Sequence, residues 1–220
     1  MQADRDLQKR VLAALEWEPS VEAAQIGVTA NDGVVTLQGT VPSLHQKWMA
    51  ERITRHLIGV RALANDLDVS PTGNAARSDS AIATAAANAL EWDSAVPDAA
   101  VKATVRHGWV TLTGTVAHQF EKAAAELCVQ RLTGVKGVTN AIVVKSTVCA
   151  ADVKVKIEEA LTRSAIIDAA HISVEARDGA VLLTGTVRSL AERDDAEQAA
   201  WAAPGVTRVD DRLVLARDDR

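Results

Sequence analysis

The sequence is poor in aromatic residues and in cysteine. It has no tyrosine, one phenylalanine (Phe120), and five tryptophans that supply most of its aromatic surface. Cys128 and Cys149 are the only cysteines, too few for a disulfide framework, and no CxxC motif or Cys/His cluster indicates zinc. We interpret both as structural thiols, because unpaired cysteines are commonly buried.

The sequence also lacks a long apolar run and an excess of positive charge. No stretch of 18 apolar residues is present, so no membrane-spanning helix is predicted. The 24 Lys and Arg residues are interleaved with 29 Asp and Glu residues, and the net charge is −5. A general nucleic-acid-binding protein carries a basic face, so this balance argues against nucleic acid as a partner.

The first residues do not resemble an export signal. Residues 1–7 read Met-Gln-Ala-Asp-Arg-Asp-Leu, without a basic segment followed by an apolar one. The sequence therefore predicts a cytoplasmic protein. The prediction changes to a periplasmic one if Met1 replaces an export signal.

An internal repeat dominates the sequence. The segment DGVVTLQGTV, starting at Asp32, recurs as HGWVTLTGTV from His107 and as DGAVLLTGTV from Asp178. The copies keep register over about 60 residues each, which chance does not explain. We predict three tandem domains, at residues 1–69, 79–144 and 150–215, joined by a turn-rich linker over 70–78 and a shorter one over 145–149.

Each repeat begins with the pattern of a helix followed by a hairpin. Leu7, Val11 and Leu15 recur every four residues, as expected for the apolar face of a helix over about residues 4–17. Acidic residues at the helix starts (Asp4, Asp79 and Asp152) suit the positive end of a helix dipole. Asp32-Gly33 between two alternating segments predicts a two-residue hairpin turn.

A second helix and a last strand complete the repeat. Ser43 with Gln46, and Ser189 with Glu192, have the spacing of capping boxes, in which each side chain binds the other residue's backbone N–H. We expect these helices to end at Gly59, Gly134 and Gly205, and Pro204 to shorten the third by a turn. The predicted fold is α+β, made of three tandem αββαβ modules. Each has a three-stranded mixed sheet with two helices on one face.

The repeated G-x-V-x-L-x-G-T-V strand, the preceding Leu15-Glu16-Trp17 and the later Gly-Val resemble the BON (bacterial OsmY and nodulation) domain, three times over. Leu90-Glu91-Trp92 matches in the second copy, and Leu161-Thr162-Arg163 departs in the third. The resemblance implies that the repeated glycines determine the fold: Gly33, Gly39, Gly59, Gly108, Gly114, Gly134, Gly179, Gly185 and Gly205. It also implies a non-enzymatic protein linked to phospholipid surfaces, envelope integrity, osmotic stress or chaperone-like stabilisation of clients. One relative binds potassium.

No residue pattern indicates catalysis or a cofactor. The five histidines occupy unmatched repeat positions without the spacing of a metal motif, so we interpret them as surface or capping residues: His45, His56, His107, His118 and His171. Ser43 and Ser189 are explained by capping, and no G-x-S-x-G motif exists. We predict no catalytic residue, metal ligand or cofactor.

The second helix of the first copy is the best surface candidate. It contains Lys47, Trp48, Arg52 and Arg55 with only Glu51 acidic, a pattern typical of a lipid-contacting helix. The alternative is an ordinary amphipathic helix with Trp48 packed on its sheet. Trp109 replaces Val34 and Ala180 of the other copies, and packs either against a partner or another module, or on its own hairpin.

The functional hypothesis is a stress-associated binding protein that contacts a phospholipid surface or client proteins. The alternative is a potassium-binding module in which carbonyl groups near the glycine-rich turns hold the ion. Backbone ligands leave no sequence signature, so both remain open.

Overall fold

The computed structural model of the protein describes residues 2–71, 73–145, 153–163, 171–177, 179–203 and 205–216. Several residues used in the predictions lie outside these ranges: Met1, Cys149, Asp152, Asp178 and Pro204. Each repeat forms one module, and its elements follow the predicted order.

Module 1 consists of α1 (Gln2–Trp17), β1 (Ile26–Asn31), β2 (Val34–Val41), α2 (Leu44–Arg55) and β3 (Ala62–Val69). Module 2 consists of α3 (Asp79–Trp92), β4 (Val101–Arg106), β5 (Trp109–Val116), α4 (Gln119–Gln130) and β6 (Gly137–Val144). Module 3 consists of α5 (Val153–Arg163), β7 (Ile172–Arg177), β8 (Ala180–Val187), α6 (Leu190–Trp201) and β9 (Arg208–Leu215). Two short 3-10 helices, Ala23–Gln25 and Gly73–Ala75, were not predicted.

In every module the second of the three strands in sequence is the central strand of the sheet. The strand orders are β1-β2-β3, β4-β5-β6 and β7-β8-β9. The β1–β2 and β7–β8 pairs are antiparallel hairpins, whereas β2–β3 and β8–β9 are parallel, because a helix carries the chain back across the sheet. The predicted α+β class and the mixed three-stranded sheets are confirmed.

The core of each module lies between the sheet and its two helices. In module 1, α1 packs against β1 and α2 packs against β3. The apolar stripe of α1 and alternate residues of the central strand are fully or nearly buried: Leu7, Val11, Leu15, Val35, Leu37 and Val41. The other set of β2 residues, which starts at Val34 and ends at Thr40, lies on the side of the sheet away from the helices. We call this side of each sheet the open face.

The hairpin turns have the predicted glycine geometry. Asp32 and Gly33 have φ of 48° and 76°, and His107 and Gly108 have 53° and 80°, so both turn residues have positive φ, as a type I′ turn requires. All nine glycines named above have positive φ. At Gly39, a Cβ atom would also collide with the carbonyl oxygen of Gln25.

The predicted ends of the second helices are wrong. These helices end at Arg55, Gln130 and Trp201, four residues before the repeated glycines, and each has 12 residues. The chain leaves each helix through a tighter turn with a backbone hydrogen bond between residues three apart. In these bonds the N–H groups of Leu57, Leu132 and Ala203 donate to the carbonyl groups of Thr54, Val129 and Ala200, respectively. Because this turn precedes Pro204, the helix is complete before the proline is reached, and α6 is not shortened.

Of the two hydrogen bonds predicted for each capping box, only the one accepted by the serine is present. The Ser43 hydroxyl accepts from Gln46 N–H and the Ser189 hydroxyl from Glu192 N–H, as predicted. The return bonds differ, because Gln46 Oε1 accepts from the backbone N–H of Glu22 in the loop after α1. Glu192 Oε2 accepts from the N–H of Arg188, one residue before the cap. These side chains therefore hold the approach to the helix rather than the cap residue itself.

Candidate functional surfaces

The four residues predicted to form a basic surface on α2 separate into two pairs. Lys47 points back to its own sheet, where Nζ donates to the carbonyl of Leu67 over 2.7 Å. Arg55 forms an ion pair with Glu51, with 4.0 Å between Nη1 and Oε1. Glu51 in turn accepts from Asn65 Nδ2 at 2.9 Å. Lys47 and Arg55 are thus engaged within module 1.

Trp48 and Arg52 remain on the outer side of α2. The Arg52 guanidinium lies over the indole of Trp48, 5.1 Å from the ring centroid, and the His45 ring lies 6.3 Å away from that ring. Such a cation over an aromatic face is attracted by the ring quadrupole. We call this cluster of His45, Trp48 and Arg52 the Trp48 patch.

Glu18, at the end of α1, is influenced by the charges of the Trp48 patch. The pKa of the Glu18 carboxyl is lowered, chiefly by hydrogen bonds from the Ser20 hydroxyl and backbone N–H, and further by the charges of Arg52 and His45. The Oγ–Oε1 distance is 2.7 Å. Glu18 therefore lies within electrostatic reach of the patch, and its chain neighbour Trp17 has 88% of its surface exposed.

Sequence reasoning missed Trp17 and Trp92 as surface residues. They occupy equivalent positions at the ends of α1 and α3, and are 88% and 86% exposed. Their helical positions could have revealed this, since Trp17 follows the last buried stripe residue, Leu15, by only two residues and so points to another side of the helix. Both helix ends therefore present an indole to solvent.

Trp109 lies on the open face of its own sheet, but over the neighbouring strand β6 and not on the β4–β5 hairpin that was one of its two predicted placements. Its packing against a partner or another module stays a prediction. Its Nε1 donates to Thr139 Oγ1 on β6 over 2.8 Å, and half of its surface is exposed. The ring covers Gly137, where a Cβ atom would collide with three atoms of the indole. Gly137 stands where β3 has Ala62 and β9 has Arg208.

The histidines are distributed over separate surfaces. His56 Nδ1 lies 2.7 Å from the carbonyl oxygen of Arg52, His107 forms part of a hairpin turn, and the His118 ring stacks on Phe120 with 5.5 Å between centroids. Within the described ranges, no group of three or more His, Cys, Asp or Glu residues is placed to hold a metal ion.

The carbonyl groups of the hairpin turns serve the sheets. Gly33 O accepts from Arg61 N at 2.8 Å, Gly108 O from Lys136 N at 2.9 Å, and Gly179 O from Thr207 N at 2.8 Å. Potassium binding at these turns stays a prediction. Among the described residues, no helix has both the length and the apolar composition needed to cross a membrane.

These features define a class of small repeated α+β modules whose open sheet faces and helix ends differ from copy to copy. The sequence model of the BON domain matches residues 3–71, 78–146 and 150–217. The protein belongs to the BON domain family.

The chain is also similar to two curated proteins. Osmotically-inducible protein Y of Escherichia coli K12 is 30% identical over 141 residues, which cover 62% of this chain and 70% of the relative. Outer membrane lipoprotein DolP of Haemophilus influenzae is 30% identical over 138 residues, or 61% of this chain and 71% of the relative. A solved structure of CdsD, a structural protein of the type III secretion system of Chlamydia trachomatis, has 16% identity. It covers 97% of this chain and 94% of its own, but its TM-score of 0.26 is too low to support an argument.

Proposed function

We propose that the protein is a non-enzymatic, stress-associated binding protein that contacts an anionic phospholipid surface through module 1. The observation that carries the proposal is the placement of the exposed Arg52 guanidinium over the partly buried indole of Trp48 on α2. An amphipathic aromatic ring next to a cation suits the boundary between lipid headgroups and acyl chains. Module 1 exposes a second indole at Trp17, at the end of α1.

The names of the two relatives support this setting. One is described as osmotically inducible and the other as an outer membrane lipoprotein. The predicted cytoplasmic location receives no support from these relatives, and the outer membrane lipoprotein favours the periplasmic alternative. We therefore place the proposed contact at an envelope membrane.

Flotation with phosphatidylglycerol vesicles at low salt tests the proposal. Each Lys or Arg near an anionic surface contributes about 1 kcal/mol, so Arg52→Ala is expected to weaken binding about fivefold, and Trp48→Ala at least as much. Lys156→Ala removes an exposed cation from α5 and is the matched control. Absence of flotation by the wild-type chain, or equal losses for Arg52→Ala and Lys156→Ala, would contradict the proposal.

A client-protein function is the second candidate, and a groove in module 2 favours it. The groove has a volume of about 680 Å³ and runs between α3 and the edge strand β4, with Leu90, Val96 and Val101 in its lining. Ala83 and Ala87 of α3 stand where α1 has Gln8 and Leu12. In module 1, Gln8 Nε2 donates to the carbonyl of Val28 on the edge strand, a bond that Ala83 lacks the atoms to make.

The groove therefore borders an edge strand that lacks the side-chain hydrogen bond made by Gln8 in module 1. An extended client segment could pair with such an edge strand as an added strand of the sheet. Ala87→Leu fills the groove with the larger residue of module 1. It is expected to reduce suppression of aggregation of a denatured model protein, whereas Ala81→Leu on the exposed side of α3 leaves it unchanged. Equal activity of both variants would contradict the client-binding role of this groove.

A further inference from the structure

The open face of module 2 differs in charge from those of the other modules. Its outward residues on β4, β5 and β6 include two cations, Lys102 and Arg106, and no carboxylate. The open face of module 1 has no cation and carries the exposed Asp66 and Asp68. The open face of module 3 carries both signs, with Arg177, Arg208 and Arg212 beside Glu175 and Asp210, and Asp210 lies 3.0 Å from Arg212. Within the described residues, neither Lys102 nor Arg106 pairs with an acid.

Trp109 lies flat on this acid-free face. Three atoms of its six-membered ring are nearly equidistant from the position of a Cβ on Gly137, as expected when the face of a ring, not its edge, covers the glycine. The bond from Nε1 to Thr139 fixes the ring in this position. Because one face of the indole rests on the sheet and the side chain is half exposed, the opposite face is open to solvent.

Cations and hydroxyl groups surround the indole. Arg106 is the direct cross-strand neighbour of Trp109, and Lys102 lies opposite Thr113, four residues further along each strand. Outward threonines fill much of the remaining face: Thr104, Thr111, Thr113, Thr115 and Thr139. The face thus combines a flat apolar platform, hydrogen-bonding hydroxyl groups and positive charge.

We propose that the open face of module 2 binds an acidic oligosaccharide, with Trp109 stacked on a sugar ring and Arg106 and Lys102 paired with its carboxylates. The C–H groups on one side of a pyranose ring match a flat indole, and sugar hydroxyls match threonine hydroxyls. Lys102 and Arg106 are four residues apart on one strand, about 13 Å. That distance exceeds one sugar ring, so the ligand is a chain of sugars.

The geometry favours a saccharide over a membrane or a nucleic acid. An indole that inserts into lipid has to leave the protein surface, whereas that of Trp109 is held by Thr139 and by the absence of a side chain at Gly137. Single-stranded nucleic acids are bound by successive aromatic platforms in a basic groove. This face has one aromatic residue, and the whole chain has a net charge of −5.

Isothermal titration of the full chain with an oligogalacturonate tests the proposal. A neutral cello-oligosaccharide of the same length, phosphatidylglycerol vesicles and a single-stranded DNA oligonucleotide are the comparison ligands. We expect binding of the oligogalacturonate that weakens with salt and exceeds binding of the neutral chain. Trp109→Val, which introduces the residue of module 1, is expected to weaken it about tenfold or more. Arg106→Gln is expected to weaken it and to reduce its salt dependence.

Trp92→Ala is the matched control, since it removes an exposed tryptophan of the same module away from this face. Gly137→Ala is a second variant that displaces the indole without removing it, and it is expected to weaken binding as well. No binding of oligogalacturonate, equal affinity of wild type and the Trp109 and Arg106 variants, or binding of vesicles or DNA alone would overturn the proposal. The site is independent of the Trp48 patch, so Arg52→Ala should leave oligogalacturonate binding unchanged, and Trp109→Val should leave flotation unchanged.

Discussion

The carboxylate of Asp79 accepts a hydrogen bond from the backbone N–H of Gly108, with 2.9 Å between Oδ1 and N. The other oxygen, Oδ2, accepts from His107 N–H at 2.7 Å. The first residue of α3 thereby holds the hairpin turn between β4 and β5, 29 residues away in the chain. The contact fixes the turn relative to the helix layer.

This contact predicts an acid-sensitive contribution to stability. The two backbone bonds, first that from Gly108 and then that from His107, lower the pKa of Asp79 below its ordinary value of 3.8. Because the pKa is lower in the folded state, the carboxylate stabilises the fold above the unfolded-state pKa, and this contribution is lost as the pH falls through the folded value. Asp79→Asn should therefore lower the unfolding midpoint at pH 7, and the difference from wild type should shrink near pH 3.

Urea unfolding of both proteins at the two pH values measures this effect. Asp66→Asn, which changes an exposed carboxylate on the open face of module 1, is the control and should have little effect at pH 7. A deficit of Asp79→Asn that is the same at pH 3 and pH 7 would show that the charge on Asp79 does not contribute.

The predictable part of the fold is the part specified by local pattern. The stripe of Leu7, Val11 and Leu15 gave the first helix and its buried side, and Asp32-Gly33 gave the turn, because each signal acts within a few residues. The ends of the second helices were misplaced for the opposite reason. The chain needs a further turn between Arg55 and Gly59 to reach the last strand, and this geometry depends on the sheet.

The candidate surface on α2 was only partly predictable, because side-chain partners across the module are tertiary facts. Composition marks Lys47 and Arg52 equally as cations on one helix. Only the packed structure places Lys47 Nζ at a strand carbonyl and Arg52 over an indole. Likewise, the sequence does not explain why position 137 is a glycine where the other modules have Ala62 and Arg208. The structure explains it, because the ring of Trp109 occupies the space of a side chain there.

A glycine pair on neighbouring strands predicts a large difference in tolerance to alanine. Gly39 has φ of 129°, and a Cβ there would collide with the carbonyl of Gln25. At Gly27, a Cβ would make only an ordinary contact, 3.6 Å from the carbonyl oxygen of Gln38. Gly39→Ala should destabilise the protein by about 3 kcal/mol or more or prevent folding of module 1, whereas Gly27→Ala should change stability by less than about 1 kcal/mol. Denaturant unfolding of the two variants measures this difference. Similar stabilities would contradict the close approach of Gly39 to the Gln25 carbonyl.

Lys47 is predicted to contribute to stability rather than to membrane contact. Its bond to the Leu67 carbonyl ties α2 to the edge strand β3. Lys47→Met keeps the aliphatic stem and removes this bond, and is expected to lower the free energy of unfolding by about 1 kcal/mol. Vesicle flotation should stay near the wild-type level. Lys9→Met on the exposed side of α1 is the control for loss of one charge, and a Lys47→Met variant that is fully stable but no longer floats would reverse the assignment.

Cys128 is predicted to react slowly with thiol reagents at neutral pH. Burial, followed by the negative charge of Asp93, raises the pKa of its thiol to about 11, and Sγ lies 3.3 Å from the carbonyl oxygen of Ala125. Because the thiolate is the reactive form, the rate of alkylation by iodoacetamide should rise with pH well beyond the value at which an exposed cysteine levels off. Measurement in a Cys149→Ser background isolates Cys128. A rate that levels off near pH 8.5 would show that the thiol is as accessible and as acidic as a free cysteine, and would exclude the structural role predicted for it.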